Sequence, residues 1–284
     1  ELSAALYGRL RDASRRSGVT LFGTMMAAYH VLLWRWSGQA DLSIGTGIAN
    51  RRAGETHDLI GMFVNAVVVR SRVDENLPFA EFARRVHAEA LAAAENQEVP
   101  FETVVEALRP DRSLGHNPLF QAMFSFHDAP IPELSLPGME VEVTPALSNG
   151  SSKFDLDVVA IPRAEQRVGQ GHTGDADGIT LVWEHNSDLF EAATMEAMAG
   201  QYRTLLEAVA ADPERRVGSL ELMDGAERSR VLEAWNPAAA EGPAALSVHR
   251  AVEAQAARTP GAAARVSAGR ETGYRELDAR ANRL

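Results

Sequence analysis

The stretch Val64-Asn65-Ala66-Val67-Val68-Val69-Arg70-Ser71-Arg72-Val73, followed from Pro78 by Phe79, Phe82, Ala83, Val86 and Ala90, decides the fold class. Its first part alternates. Asn65, Val67, Val69, Ser71 and Val73 share one face and Ala66, Val68, Arg70 and Arg72 the other, the period-two signature of a strand. Asn65 is thereby a polar residue at the mouth of an apolar face. In the second part apolar residues recur every three or four positions behind a helix-opening proline, which predicts a long helix running out near Asn96. Two-faced strands alternating with long helices predict an α/β protein, a mixed sheet with helices packed mainly on one face.

Toward the N-terminus, Leu2, Leu6, Leu10 and Ala13 recur at helical spacing up to Gly18. Thr20 can cap a second helix to Trp36, apolar on nearly all sides and so expected in the core, and Gly38 closes it. Leu42, Ile44, Thr46 and Ile48 then alternate as a strand that ends at Asn50-Arg51-Arg52. Toward the C-terminus a short helix runs to Leu108. Strand patterns follow at Ala122 to His127, at Met139, Val141 and Val143, and at Phe154, Leu156, Val158 and Ala160. The polar run Gly169 to Gly178 reads as a long hairpin loop leading to Ile179, Leu181 and Trp183; its Asp175-Ala176-Asp177-Gly178 lacks the rest of a calcium-loop pattern and reads as a turn. Met195, Met198, Tyr202, Leu205, Leu206 and Val209 stripe a helix with Thr194 as its cap, and Asp224 with Glu227 has capping-box spacing for a helix through Trp235. Residues 236–247 read as a linker with little to bury, after which Ser247 can cap a last helix stopped by Thr259-Pro260-Gly261. The expected division is 1–235, linker 236–247, and 248–284.

Composition narrows the function. With 45% hydrophobic and 24% charged residues the 284-residue chain is expected to be globular and to hold more than one folding unit. Its net charge of -11 opposes nonspecific attraction to nucleic acid or to an anionic membrane. Lys153 is the sole lysine and no Gly-Lys pair occurs, which excludes a Walker-type phosphate loop. Without cysteine there is no disulfide, thiolate metal site or cysteine nucleophile. No His pair stands at metal spacing and no Gly-x-Ser-x-Gly elbow occurs. No signal core or membrane span is legible, so a cytoplasmic location is expected, and a start at Glu1 suggests a piece of something longer.

The chemistry-bearing region is Asn96-Gln97-Glu98-Val99-Pro100-Phe101-Glu102 followed by Arg112-Ser113-Leu114-Gly115-His116-Asn117-Pro118-Leu119-Phe120. A carboxamide can donate a hydrogen bond to a developing oxyanion without titrating, and Pro100 and Pro118 stiffen the backbone beside Asn96 and Asn117. The plainer reading is a helix stop and a turn. His116 and His127 lie near this region as candidate bases, although a lone histidine there is more often a satisfied polar residue.

Three motifs in order, Ile60-Gly61-Met62-Phe63-Val64-Asn65 with Arg70, then Asn96 to Glu102, then Arg112 with Asn117-Pro118-Leu119-Phe120, resemble the last three signature motifs of nonribosomal peptide synthetase condensation domains. The resemblance covers about the first 235 residues. Beyond the linker, Arg258-Thr259-Pro260 and Tyr274-Arg275-Glu276-Leu277 resemble the start of an adenylation domain, without its phosphate loop. Two positions depart: Ala66 stands where the family often has Thr, and Thr272-Gly273 where Leu-Thr is usual. No His-His pair exists in the chain, so the family's His-His-x-x-x-Asp-Gly motif is absent.

The resemblance implies a chloramphenicol-acetyltransferase-like C-terminal lobe, facing an N-terminal lobe across a tunnel. Donor and acceptor peptidyl carrier proteins would deliver phosphopantetheine-linked thioesters for amide formation, with no cofactor or metal bound directly. It implies Asn96 as the candidate tunnel residue at the reacting centre, and Asn65, Arg70, Gln97 and Asn117 as substrate-binding residues that mainly brace it. The chain alone is expected to be inactive. The alternative is a non-catalytic module that docks carrier proteins or serves as a platform for the adjacent adenylation domain; a free-standing acetyltransferase relative is a third reading. An apolar wall that would face the missing lobe predicts self-association at high concentration.

Overall fold

Short-range signals set most helix boundaries in the computed structural model, which describes residues 1–51, 54–56, 58–110, 117–129, 150–166, 178–236 and 247–283. In α1 (Ala4–Ser17) the Ser3 hydroxyl accepts from the Leu6 N–H, and Gly18, at φ 71°, closes the helix. In α2 (Leu21–Ser37) the Thr20 hydroxyl accepts from Gly23 N–H at 3.1 Å and Gly38, at φ 72°, ends it. The first amides of α3 (Phe79–Glu95) have no side-chain cap; Phe79 and Ala80 N–H instead donate to the Arg215 and Pro213 carbonyls. Then follow α4 (Phe101–Leu108), the short α5 (Arg163–Gln166), α6 (Ala192–Ala211) and α7 (Gly225–Ser229), the last continuing into a π turn, Arg230–Ala234.

Five strands, β1 (Asp41–Ile48), β2 (Asn65–Arg72), β3 (Ala122–Phe126), β4 (Leu156–Pro162) and β5 (Ile179–His185), form one sheet in the order β2-β1-β3-β4-β5. β1 pairs antiparallel with β2 over its full length, from Asp41↔Arg72 to Ile48↔Asn65. The centre, β1-β3-β4, is parallel, and β5 returns antiparallel on β4, from Leu156↔His185 to Pro162↔Ile179. The sheet is therefore mixed, as the alternation predicts. Leu2 adds a single bridge to Ile179.

One face of the sheet carries the core. Ile44, Val69, Phe124, Val158 and Ile179 lie under the buried sides of α1, α2, α3 and α6. Tyr29 of α2 meets Phe124, Trp183 and Tyr202 at ring-centroid distances of 5.6 to 6.3 Å, and the Tyr202 hydroxyl donates to the Met25 carbonyl at 2.8 Å. His30 is fully buried, and burial pushes its pKa down to about 4. On the other face Phe120 lies so close to Gly45 that a Cβ there would stand 2.2 Å from its ring. Phe120 also meets Phe101 of α4 edge-on at 5.5 Å and packs tilted against Phe154 at 5.4 Å. Only glycine permits that approach.

Glu1–Ala226 form one compact unit and Glu227–Leu284 a second. The second unit has α8 (Val248–Arg258), a hairpin of β6 (Ala263–Ser267) and β7 (Arg270–Gly273), and α9 (Tyr274–Ala281).

Three expectations shift. α6 starts at Ala192 because the Glu191 carbonyl accepts its first bonds, which puts Thr194 inside the helix rather than at its cap. Ser247 flanks α8, but its hydroxyl meets His249 Nε2 at 3.0 Å and caps no amide. β4 begins at Leu156, since Phe154 turns into the aromatic cluster. The expected strand at Met139 to Val143, the loop residues 169–177, Arg112, His116 and linker residues 237–246 lie outside the described residues.

Candidate functional site

Because β1 and β3 run parallel, their carboxyl ends reach the same edge of the sheet, the place where open α/β sheets bind ligands. A groove of about 1160 Å³ lies there, somewhat above the roughly 300 to 1,000 Å³ usual for a small-molecule site. Apolar side chains dominate its walls, among them Phe22 of α2, Ala90, Leu91 and Ala94 of α3, and Met123 of β3. Its rim carries Arg11 and Arg15 but also Asp128 and Glu165, so no single sign of charge prevails. Glu165 accepts from the Tyr7 hydroxyl at 3.0 Å; burial, with that carboxylate beside it, pushes the phenol up to about 12.

The sheet itself opens at the groove. The β1–β3 ladder holds Ile44↔Ala122 and Gly45↔Met123 and then stops, although β1 continues to Ile48 and β3 to Phe126. Thr46, Gly47, Ile48, Ser125 and Phe126, from the parted ends, all line the groove. Thr46 and Ser125 are only 5% and 8% exposed, and neither hydroxyl is among the buried polar atoms left without a partner in the described residues. His87 lines the groove from α3 with its Nδ1 buried and unpartnered. Its ring lies flush on Gly23, where a Cβ would stand 3.1 Å from that nitrogen.

The residues singled out from the sequence fall into three places. Asn65, at the start of β2, is a clamp: its Nδ2 donates to the Gln97 carbonyl (2.8 Å) and the Val99 carbonyl (2.7 Å), and its Oδ1 accepts from Ala66 N–H (3.0 Å) and Phe101 N–H (3.2 Å). Through the last bond it caps α4, which Pro100 cannot do. Gln97 Nε2 donates to the Ala94 carbonyl at 2.9 Å, so Asn65 and Gln97 together fix the turn between α3 and α4. Asn96 ends α3, and its Nδ2 donates back to the Ala92 carbonyl at 3.0 Å. It is not among the residues lining the groove, whose wall along α3 runs from His87 to Ala94, two residues before it.

Asn117 stands apart from that turn and ties its Nδ2 to the Lys153 carbonyl at 2.9 Å, just before β4. Arg70 is farther off. It pairs with Asp41 through two bonds of 2.9 and 2.8 Å on the exposed surface, near the end of the β1–β2 ladder opposite Asn65, and holds that carboxyl below its ordinary value. The five residues therefore do not converge on one centre. His127 lines the groove and donates its backbone N–H to the Ala160 carbonyl. Thr46, Ser125 and His87 were not singled out, although Thr46 is the one hydroxyl in an otherwise aliphatic alternation. Among the described residues no group of three or more His, Asp or Glu could hold a metal ion, and no single helix is long and apolar enough to cross a membrane.

Beside this geometry, the Condensation domain family matches residues 1–232, and the chain belongs to that family. It is 39% identical over its whole length to chondramide synthase cmdD of Chondromyces crocatus, and 37% identical over 98% of its length to a dimodular nonribosomal peptide synthase of Bacillus subtilis. It spans only 7% and 11% of those proteins. Among solved structures, the holo form of the four-domain nonribosomal peptide synthetase AB3403 aligns with 97% of the chain at a TM-score of 0.71 and 22% identity, the chain covering 21% of it. The X-domain from teicoplanin biosynthesis aligns with 78% of the chain at 0.68 and 28% identity, and there the chain covers 48%. The fold is thus the chloramphenicol-acetyltransferase-like condensation fold, a mixed sheet with helices mainly on one face.

Proposed function

We propose that this chain is the C-terminal lobe of a condensation domain that joins a carrier-bound donor acyl or peptidyl thioester to a carrier-bound aminoacyl acceptor, forming an amide. The observation that carries the reading is the groove at the carboxyl ends of β1 and β3, within the stretch matched to the family. The acceptor amine attacks the donor thioester carbonyl, and the oxyanion collapses to an amide as the thiol leaves. No His-His pair is in the sequence, and the chain covers about half of the teicoplanin X-domain. The N-terminal lobe would therefore supply the histidine, and the chain alone would be inactive. Donor and acceptor carrier proteins would bring the phosphopantetheine arms, and the second unit would begin an adjacent adenylation domain, with 236–247 as the linker. A cytoplasmic synthetase is the setting.

In this reading Asn65, Gln97 and Asn117 brace the groove's surroundings. Asn96 holds the end of α3, and Arg70 stiffens the strand pair through Asp41. In the complete synthetase, Ala94→Trp fills the groove and is expected to lower amide formation at least about 100-fold with carrier loading unchanged. An unchanged rate would overturn the reading. Asn96→Ala should stay within about tenfold of wild type; a loss of about 100 to 1,000-fold would make its amide an oxyanion donor instead.

A further inference from the structure

We propose that His87 is a specificity-determining residue of the groove: its imidazole presents one N–H there and selects a thioester substrate whose side chain has an apolar body and an uncharged, oxygen-bearing tip. This rests on the reading of the chain as a condensation lobe and names the class of side chain its groove takes.

Among the described residues four buried side-chain polar atoms have no hydrogen-bond partner, Tyr29 Oη, His30 Nε2, His87 Nδ1 and Asp157 Oδ1, and of these residues only His87 lines the groove. Other polar side chains on its walls are already engaged. The Ser14 hydroxyl donates to the Leu10 carbonyl at 2.7 Å and meets the Thr24 hydroxyl at 2.7 Å, the Thr20 hydroxyl accepts from Gly23 N–H at 3.1 Å, and Glu165 accepts from Tyr7 at 3.0 Å. The two nitrogens of His87 have different surroundings. Nδ1 lies against Gly23, in the first turn of α2, where a Cβ would stand 3.1 Å from it. A first helical turn offers backbone N–H groups and no free carbonyl, so a hydrogen on Nδ1 would find no acceptor there. The neutral ring therefore carries its hydrogen on Nε2. Nε2 is not among the buried unpartnered atoms, and His87 makes no hydrogen bond to another described residue, which leaves Nε2–H as an open donor.

The walls decide which side chain this donor suits. His87, Ala90, Leu91 and Ala94 stand on one face of α3, and the small Ala90 and Ala94 leave room beside the ring. Phe22 and Met123 add apolar surface, so an aliphatic or aromatic body fits. The single N–H asks for an acceptor at the tip of that body. A hydroxyl, phenol or carboxamide oxygen supplies one, whereas an ammonium or guanidinium has only donors to offer. A carboxylate gains no net attraction, since Asp128 and Glu165 share the rim with Arg11 and Arg15.

The test uses the complete synthetase with the donor and then the acceptor carrier protein loaded with matched side chains, tyrosyl against phenylalanyl, threonyl against valyl, and glutaminyl against methionyl. Wild type is expected to favour the oxygen-bearing member of at least one pair, at one of the two positions, about tenfold in kcat/KM. His87→Phe keeps a ring on Gly23 but has no N–H, and should bring that ratio to parity through loss on the oxygen-bearing member; His87→Leu serves the same purpose if the phenyl variant does not fold. His87→Gln, whose amide can donate again, should restore part of the preference. A ratio unchanged in the variants that lack an N–H overturns the assignment, as does a wild type without preference in any pair. An equal loss on both members of a pair overturns it too, because it marks a ring that only packs. A wild-type synthetase that forms no amide from any pair overturns the underlying reading instead.

Discussion

Replacing Asn65 with Ala tests how the surroundings of the groove are held. The carboxamide makes three bonds to the α3–α4 segment, to Gln97 O, Val99 O and Phe101 N, besides a local one to Ala66 N. Each such bond is worth about 0.5 to 1.5 kcal/mol net, and the freed groups are partly wet, so the loss should total about 2 to 3 kcal/mol. It should be local, since β2 keeps its ladder to β1. In hydrogen exchange the Phe101 amide would lose its acceptor and exchange about 30 to 150 times faster, with α4 following because its cap is gone. Asn65→Asp gives a second reading of the same site: the carboxylate can still accept from Phe101 N–H, but it turns an acceptor toward two carbonyl oxygens. It should free Gln97 and Val99 while sparing the start of α4. Unchanged exchange at Phe101 in Asn65→Ala would refute the clamp.

Other consequences are open to measurement. Asp157 is pushed up to about 6 by burial first and then by Glu184 opposite it on β5, so between its ordinary 3.8 and about 6 the native state holds the proton more tightly than the unfolded chain. Its contribution to stability thus falls as pH rises through that window. Asp157→Asn should raise the melting temperature a few degrees at pH 8, about 1 to 2 kcal/mol after allowance for its partial exposure, and leave it unchanged near pH 3.5. Gly45→Ala would drive a methyl into the Phe120 ring and should destabilise by about 1 to 3 kcal/mol in denaturant titration. Ile60 and Met62 are 104% and 89% exposed, with Leu59 and Val64 beside them, so the isolated chain should self-associate in sedimentation velocity as concentration rises. A single monomer peak throughout would count against that.

What the sequence disclosed was local. Gly18, Thr20 and Gly38 bound helices because caps act within a few residues, and the alternation of Asn65 to Val73 places its two faces as observed. The order β2-β1-β3-β4-β5 was not legible, since nothing nearby in the chain tells β1 that β3, over 70 residues on, will lie beside it. The same holds for the groove, which exists because the β1–β3 ladder stops short while both strands continue. Asn96 and Gln97 were found as amides before a proline. That their groups would be used on Ala92, Ala94 and Asn65 depends on how the chain folds back, which residue type does not reveal.

In the proposed function this chain is one half of an amide-forming site. The direct measurement is product formation, by mass spectrometry, from loaded donor and acceptor carrier proteins mixed with the 284-residue chain alone and with the complete synthetase. Amide is expected from the complete synthetase and none from the chain; amide formed by the chain alone would contradict the proposed function.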